Sequence, residues 1–174
     1  MRILKYTLWV VLFFYIAIVF LPKENFYFFA EHKLERQISF SNESIKDSFG
    51  ILKISDALIS YYGDDAGRVD KITILPFILY NEVNVENLHL AEKFNKIIPV
   101  KIDKASFKTT LFYPIKIWIS LSGDFGDISG NYNIYGKTIR LVLKPQENFK
   151  QRYPFIYKEF KDIDGELVYE SSFK

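Results

Sequence analysis

The stretch PIKIWISLSGDFGDISGNYNIYGKTIRLVLKP, residues 114–145, decides the fold. Ile115, Ile117, Ile119 and Leu121 alternate with Lys116, Trp118, Ser120 and Ser122. A period of two puts successive side chains on opposite faces of a strand. Gly123-Asp124-Phe125-Gly126-Asp127 then supplies a tight turn, Ile128–Tyr135 a second strand, and Gly136-Lys137 a hairpin turn. Thr138–Leu143 returns, and Pro145 stops the run. Consecutive strands joined by short Gly turns make an antiparallel meander.

The same reading extends in both directions. Upstream, 50–55 and 57–62 read as strands, with turn chemistry at Gly63–Gly67 (GDDAG). Arg68–Leu75 follows, with Val69, Ile72 and Ile74 on a buried face, and Pro76 interrupts it. Phe77–Tyr80 and Glu82–Leu90 come next, the latter alternating Val83 and Val85 with Asn84 and Glu86. Lys93–Lys96 reads as a loop or short turn. Downstream, 146–161 reads as a helix with Phe149, Tyr153, Ile156, Tyr157 and Phe160 on one side, kinked or split by Pro154. Asp164-Gly165 turns into a last strand, Glu166–Tyr169. Residues 24–37 have helical spacing through Phe26, Phe29, Ala30, Lys33 and Leu34. The expected class is mainly β: an antiparallel meander, twisted sheet or half-barrel with one or two short helices.

Before all this lies YTLWVVLFFYIAIVFL, Tyr6–Leu21, sixteen residues without a charge. With Ile3, Leu4 and Pro22 it reaches the lower end of the roughly 17–25 helical residues that cross a bilayer. Each central Leu, Ile, Phe or Val favours insertion by about 0.3–0.6 kcal/mol. A cleaved signal peptide would need small residues at its exit; here the exit is Ile18-Val19-Phe20-Leu21-Pro22-Lys23. The reading is an uncleaved transmembrane anchor over 1–22, followed by a β-rich domain over 23–174. Arg2 and Lys5 precede the span, so the positive-inside rule holds the N-terminus in the cytoplasm. In a bacterium the rest then lies in the periplasm, with the anchor in the inner membrane.

Locating the charge removes one class of partner. The net charge of +2 is carried by Arg2 and Lys5, and the 21 other basic residues match the 21 acidic ones. The β-rich part is formally neutral, whereas a nucleic-acid binder needs a basic excess to release counterions.

Chemistry is sparse in the sequence. The absence of cysteine excludes disulfides, thiolate metal sites and thiol nucleophiles. His32 and His89 stand far apart. The acid pairs Asp64/Asp65, Asp124/Asp127 and Asp162/Asp164 sit beside glycines, where Asp serves turns. None has the spacing of an EF-hand loop, and no phosphate-loop, dinucleotide or hydrolase motif occurs. The expectation is no catalytic residue, cofactor or metal. Two apolar runs remain, Ile72–Tyr80 and Phe112–Ile119. They read as core under a helix, or else as the lining of an apolar groove. An open edge strand would suit β-augmentation by a partner.

The anchor, the Leu21-Pro22 exit and the Gly-Asp-x-Gly-x-x-x-Gly rhythm of Gly123–Gly130, followed by the Arg140–Pro145 strand end, resemble the type II secretion protein N family. More distantly they resemble AsmA-like envelope proteins. The lipopolysaccharide-export component C family is similar in having one anchor and a β-domain of similar length. The resemblance implies an inner-membrane helix carrying a periplasmic β-rich domain, and no functional residue is carried over. The expected function is a non-enzymatic scaffold or assembly factor of an envelope machine, partnered by other envelope proteins. The alternative is a module that handles lipid or lipopolysaccharide in an apolar β-groove.

Overall fold

The computed structural model describes residues 2–20, 38–48, 50–76, 79–95 and 100–173, with backbone alone at 2–3, 14–15, 17–20 and 95. The helix expected over 24–37, His32 with it, and the Phe77–Ile78 part of one apolar run lie outside the described residues. The alternation of apolar and polar residues yields eleven strands in one antiparallel sheet. They are β1 Ile38–Ser41, β2 Ser44–Ser48, β3 Ile51–Tyr61, β4 Asp64–Pro76, β5 Tyr80–Leu90 and β6 Ile102–Thr110. Then come β7 Tyr113–Gly123, β8 Gly126–Asn133, β9 Thr138–Pro145, β10 Lys161–Ile163 and β11 Glu166–Ser172. From β3 to β9 each strand pairs with the next in sequence. At one edge β1 and β2 share β3; at the other, β11 pairs with β9 and carries β10 outside it. Among the described residues the two edges are not paired with each other, so the sheet these strands form is open.

Helices are few. α1 covers Arg2–Phe20, α2 Glu92–Asn95, α3 Phe149–Arg152 and α4 Pro154–Glu159. α3 and α4 are the two pieces of the expected 146–161 helix. Proline at the first position of α4 removes a backbone donor, and Tyr153 breaks the helical path there. The helix also ends earlier than expected, and Lys161–Ile163 becomes edge strand β10. Among the described residues no helix is long and apolar enough to cross a membrane. α1 is 19 residues long, and its described side chains, from Leu4 to Phe13 and at Ile16, are exposed.

Four expectations are corrected, the first being the β8–β9 turn, which takes in Ile134 and Tyr135 as well as Gly136 and Lys137, so that β8 ends at Asn133. The β3–β4 connection is the two-residue turn Tyr62-Gly63, so Asp64 and Asp65 open β4 instead of belonging to a five-residue turn. Gly63, at φ 83, supplies the left-handed conformation that the turn needs. The β7–β8 turn is Asp124-Phe125, and Phe125 points into the core at 4 % exposure. Finally, 50–55 and 57–62 are not two strands but one, β3, with Asp56 at φ 59 inside it.

Asp56 belongs to a crease. In four neighbouring strands one residue each, Asp56, Asp70, Asn87 and Asp103, drops out of the ladder while pairing resumes on both sides. Asn87, like Asp56, has a positive φ, of 54. Asn and Asp tolerate that region better than other side chains with a Cβ. The consequence is a change of parity. Ile54 and Ala57, three residues apart, are both buried, as are Ile72 and Val69; an unbroken strand would point them to opposite faces. Arg68 binds Asp56 at 2.7 Å, and the Asn87 amide donates to Asp70 at 3.0 Å, which ties the crease together.

The core falls into two clusters. Leu52, Ile54, Ala57, Val69 and Ile72 form the first. Phe125, Leu143, Phe149 and Tyr153 form the second, where α3 and α4 pack on the sheet.

Candidate functional site

Register shows what the sheet offers. Ile45, Ile54, Ile72, Val85, Ala105, Leu121, Ile128, Leu143 and Leu167 are successive Cα partners across β2 to β11. A parallel row runs Leu52, Ile74, Val83, Phe107, Ile119, Gly130, Leu141 and Tyr169. One face of the sheet is therefore apolar from β2 to β11, where Asp162 of the edge strand β10 ends the row. The opposite face carries the row Lys46, Lys53, Thr73, Asn84, Ser106, Ser120 and Ser129, and becomes apolar only at Val142 and Val168.

This changes the reading of the two apolar runs. Ile72 and Ile74 share a face with Ile117 and Ile119, while Lys71, Thr73, Lys116 and Trp118 lie on the other. Each run is mainly one-sided where it is described, with Leu75 and Trp118 as the large apolar side chains on the other face. Midway across the sheet the apolar face is only partly covered: Val83, Val85, Ile119 and Leu121 are half-buried, and Phe107 is 37 % exposed.

Near α3 and α4 the apolar face opens into a cavity of about 150 Å³ bounded by Val100, Ile102, Leu121, Phe125, Ile128, Phe149 and Ile156. The recess is open on one side, and its apolar walls offer water no hydrogen-bond partner. Val100 also borders a second, wider recess of about 420 Å³ lined by Leu88, His89, Leu90, Lys101, Asp124 and Arg152. The polar face holds a recess of about 490 Å³ between Lys53, Lys71, Glu86 and Lys104, floored by serines.

Asp124 organises the wider recess. Its carboxylate accepts the Lys101 backbone N–H at 3.0 Å and pairs with Arg152 at 3.1 Å, joining the β7–β8 turn to α3. Burial first, and the nearby Asp124 carboxylate second, push the Tyr153 phenol up to about 12. No acceptor meets hydrogen-bond geometry at the Tyr153 hydroxyl among the described residues. A second polar group lies near the far end of β5. The hydrogen bond donated by Tyr80 holds the Glu82 carboxyl down at about 2, and Asn84 and Lys108, the latter at 3.2 Å, add to it; the Ser106 hydroxyl also donates to the carboxylate at 3.2 Å.

The acid pairs separate in the structure. Asp64 pairs with Lys93, which lowers its pKa. Asp127 stands in β8 opposite Lys144, away from the contacts that Asp124 makes. Asp162 accepts the Gly165 N–H at 3.0 Å, the local turn bond expected of it. His89 reaches the wider recess, which nothing in its sequence neighbourhood foretold. Among the described residues no three of His, Asp and Glu gather as a metal site. The glycine rhythm serves backbone contact: at Gly126, with φ 111, a Cβ would strike the Lys144 carbonyl, and at Gly130 the Arg140 carbonyl.

No family model, curated protein or solved structure matches the chain.

Proposed function

We propose that this protein is a non-enzymatic component of a bacterial envelope that holds acyl chains of lipid against the apolar face of its sheet. Residues 1–22 anchor it in the inner membrane, with the N-terminus in the cytoplasm and residues 23–174 in the periplasm. The observation that carries the reading is the apolar row from Ile45 to Leu167, nine strands wide on an open sheet. A lone sheet with one polar face ordinarily covers its apolar face with a second layer. Here α3 and α4 cover the C-terminal part, and Phe107 and its neighbours stay accessible. Acyl chains match such a surface in length and polarity, and the anchor run Tyr6–Leu21 keeps the sheet beside its lipid source.

Native mass spectrometry of the full chain, released from detergent micelles, tests this. The expected spectrum shows a phospholipid-sized adduct that Phe107→Asp removes without unfolding the protein. A wild-type chain that flies bare would refute it.

A scaffold role within a secretion or assembly machine is the second reading. It is favoured by the sheet edge, where Tyr169–Ser172 of β11 has no strand on its outer side among the described residues. Such an edge accepts a partner strand. Co-purification from membranes should then bring down an envelope protein, and Tyr169→Pro should release it.

A further inference from the structure

The ends of the sheet differ in a way that lipid storage on its face does not require. At one end three successive connections project large apolar side chains into solvent. The β4–β5 connection shows Leu79, the β6–β7 turn Leu111 and Phe112 followed by Tyr113, and the β8–β9 turn Ile134 and Tyr135. Phe112 is 79 % and Tyr135 83 % exposed. Phe173 joins them, because its N–H donates to the Lys137 carbonyl at 2.8 Å. At the opposite end Phe125 folds inward and Asp164-Gly165 is polar; Tyr61 and Tyr62 are exposed there but pack edge to face on one another, and the exposed Phe155 ring of α4 lies under the Lys158 ammonium.

Charge at the two hairpin tips has one sign, while Glu82 and Glu170, further along strands that reach the same end, are paired with Lys108 and Arg140. Across 110–116 and 133–138 the charged residues are Lys116 and Lys137, with no carboxylate. Scattered apolar residues on a surface need no explanation, but a contiguous set does. Phe, Tyr, Leu and Ile flanked by lysines are the composition of a membrane-interface contact: rings settle at headgroup depth and ammonium groups meet anionic phosphates. A protein partner would more often be met by carboxylate as well as ammonium groups at the rim.

We infer that this end of the sheet is a membrane-docking lip, and that the hairpin tips at Phe112 and Tyr135 enter the interface of an anionic bilayer. The lip lies at the opposite end of the strands from the start of β1, since Ile38 pairs with Tyr61 beside the β3–β4 turn. The inference stands apart from the lipid-holding face. Tips that enter a bilayer on a chain that flies bare would defeat that reading and leave this one intact.

The chain has no cysteine, so single labels are clean. Phe112→Cys, Tyr135→Cys and Asp164→Cys are each labelled with bimane in the full chain. They are placed in phosphatidylethanolamine–phosphatidylglycerol vesicles whose acyl chains are brominated. Labels at 112 and 135 should be quenched and the label at 164 should not. Lys116→Gln or Lys137→Gln should each weaken the docking equilibrium about fivefold, as loss of one lysine near an anionic surface does. Omitting phosphatidylglycerol should have a like effect. Equal quenching at 112, 135 and 164 would overturn the inference. So would quenching indifferent to both lysines and to phosphatidylglycerol, or labels at 112 that report only on a second copy of the chain. Circular dichroism of each variant separates misfolding from undocking.

Discussion

The two halves of the sheet solve the same problem differently. From β2 to β6 the apolar face is kept continuous by the backbone, which breaks step at Asp56, Asp70, Asn87 and Asp103. From β7 to β9 the ladders run without such a break, and the core is completed from outside by Phe125 of a turn and Phe149 and Tyr153 beside the helices. The first half depends on conformation at polar residues, and the second on a few large rings. A mutation in one half should therefore leave the other half's hydrogen-bonded amides protected.

The largest effect belongs to Phe149→Ala. The ring is 3 % exposed and packs on Tyr153 at 5.4 Å and Tyr157 at 6.5 Å between centroids. Removing it should cost about 3–5 kcal/mol. Hydrogen exchange should then quicken in β7 to β9 and around α3 and α4, with β3 to β5 unchanged. Quickening throughout would show that the halves unfold as one.

Next comes acid. Glu82 has a folded pKa near 2 against 4.5 for the free group, so its carboxylate contributes stability that is fully present above pH 4.5 and lost as pH falls toward 2. Part of that is screened at this half-open site, which leaves on the order of 1–2 kcal/mol. Glu82→Gln should lose this amount at neutral pH and flatten the urea midpoint between pH 4.5 and 2. A slope as steep as wild type would assign the acid response to other carboxylates.

The crease gives the smallest and most diagnostic pair. Asn87→Val forces a β-branched side chain into positive φ and should cost roughly 1–2 kcal/mol. Asn87→Gly should lie within a few tenths of wild type, since glycine adopts that conformation freely. Equal costs for the two would mean that the Asn87 side chain, through Asp70, matters more than the backbone.

The meander between Pro114 and Pro145 was legible because the period of two is strict and the turns carry glycine. The split of the last helix was legible from Pro154. The crease was not: Asp56 reads as a gap between strands, and Asp70, Asn87 and Asp103 read as ordinary polar positions. Only when four strands lie side by side do the four residues fall in line. The same holds for the apolar face. Ile72 and Leu121 are far apart in sequence, and pairing through β5 and β6 is what places them in one row. Val69, Ile72 and Ile74 already shared an expected buried side, and the parity change is the physical reason that they can. Phe125 was hidden inside a turn motif, where its neighbours Gly123, Asp124 and Gly126 dominate the reading. β1, β2 and β10 are short edge strands, whose pairing is set by β3 and β11 more than by their own composition.

The central claim concerns one face of one sheet, so the most direct measurement compares neighbours in one strand. Ser106 and Phe107 are adjacent in β6 and point to opposite faces. Nitroxides at Ser106→Cys and Phe107→Cys, in the full chain in lipid vesicles, report accessibility to dissolved oxygen and to a water-soluble nickel chelate. Oxygen accessibility should be high and nickel accessibility low at 107, and the reverse at 106. Equal access of the nickel chelate to both positions would mean that water, and not acyl chain, lies against the apolar face.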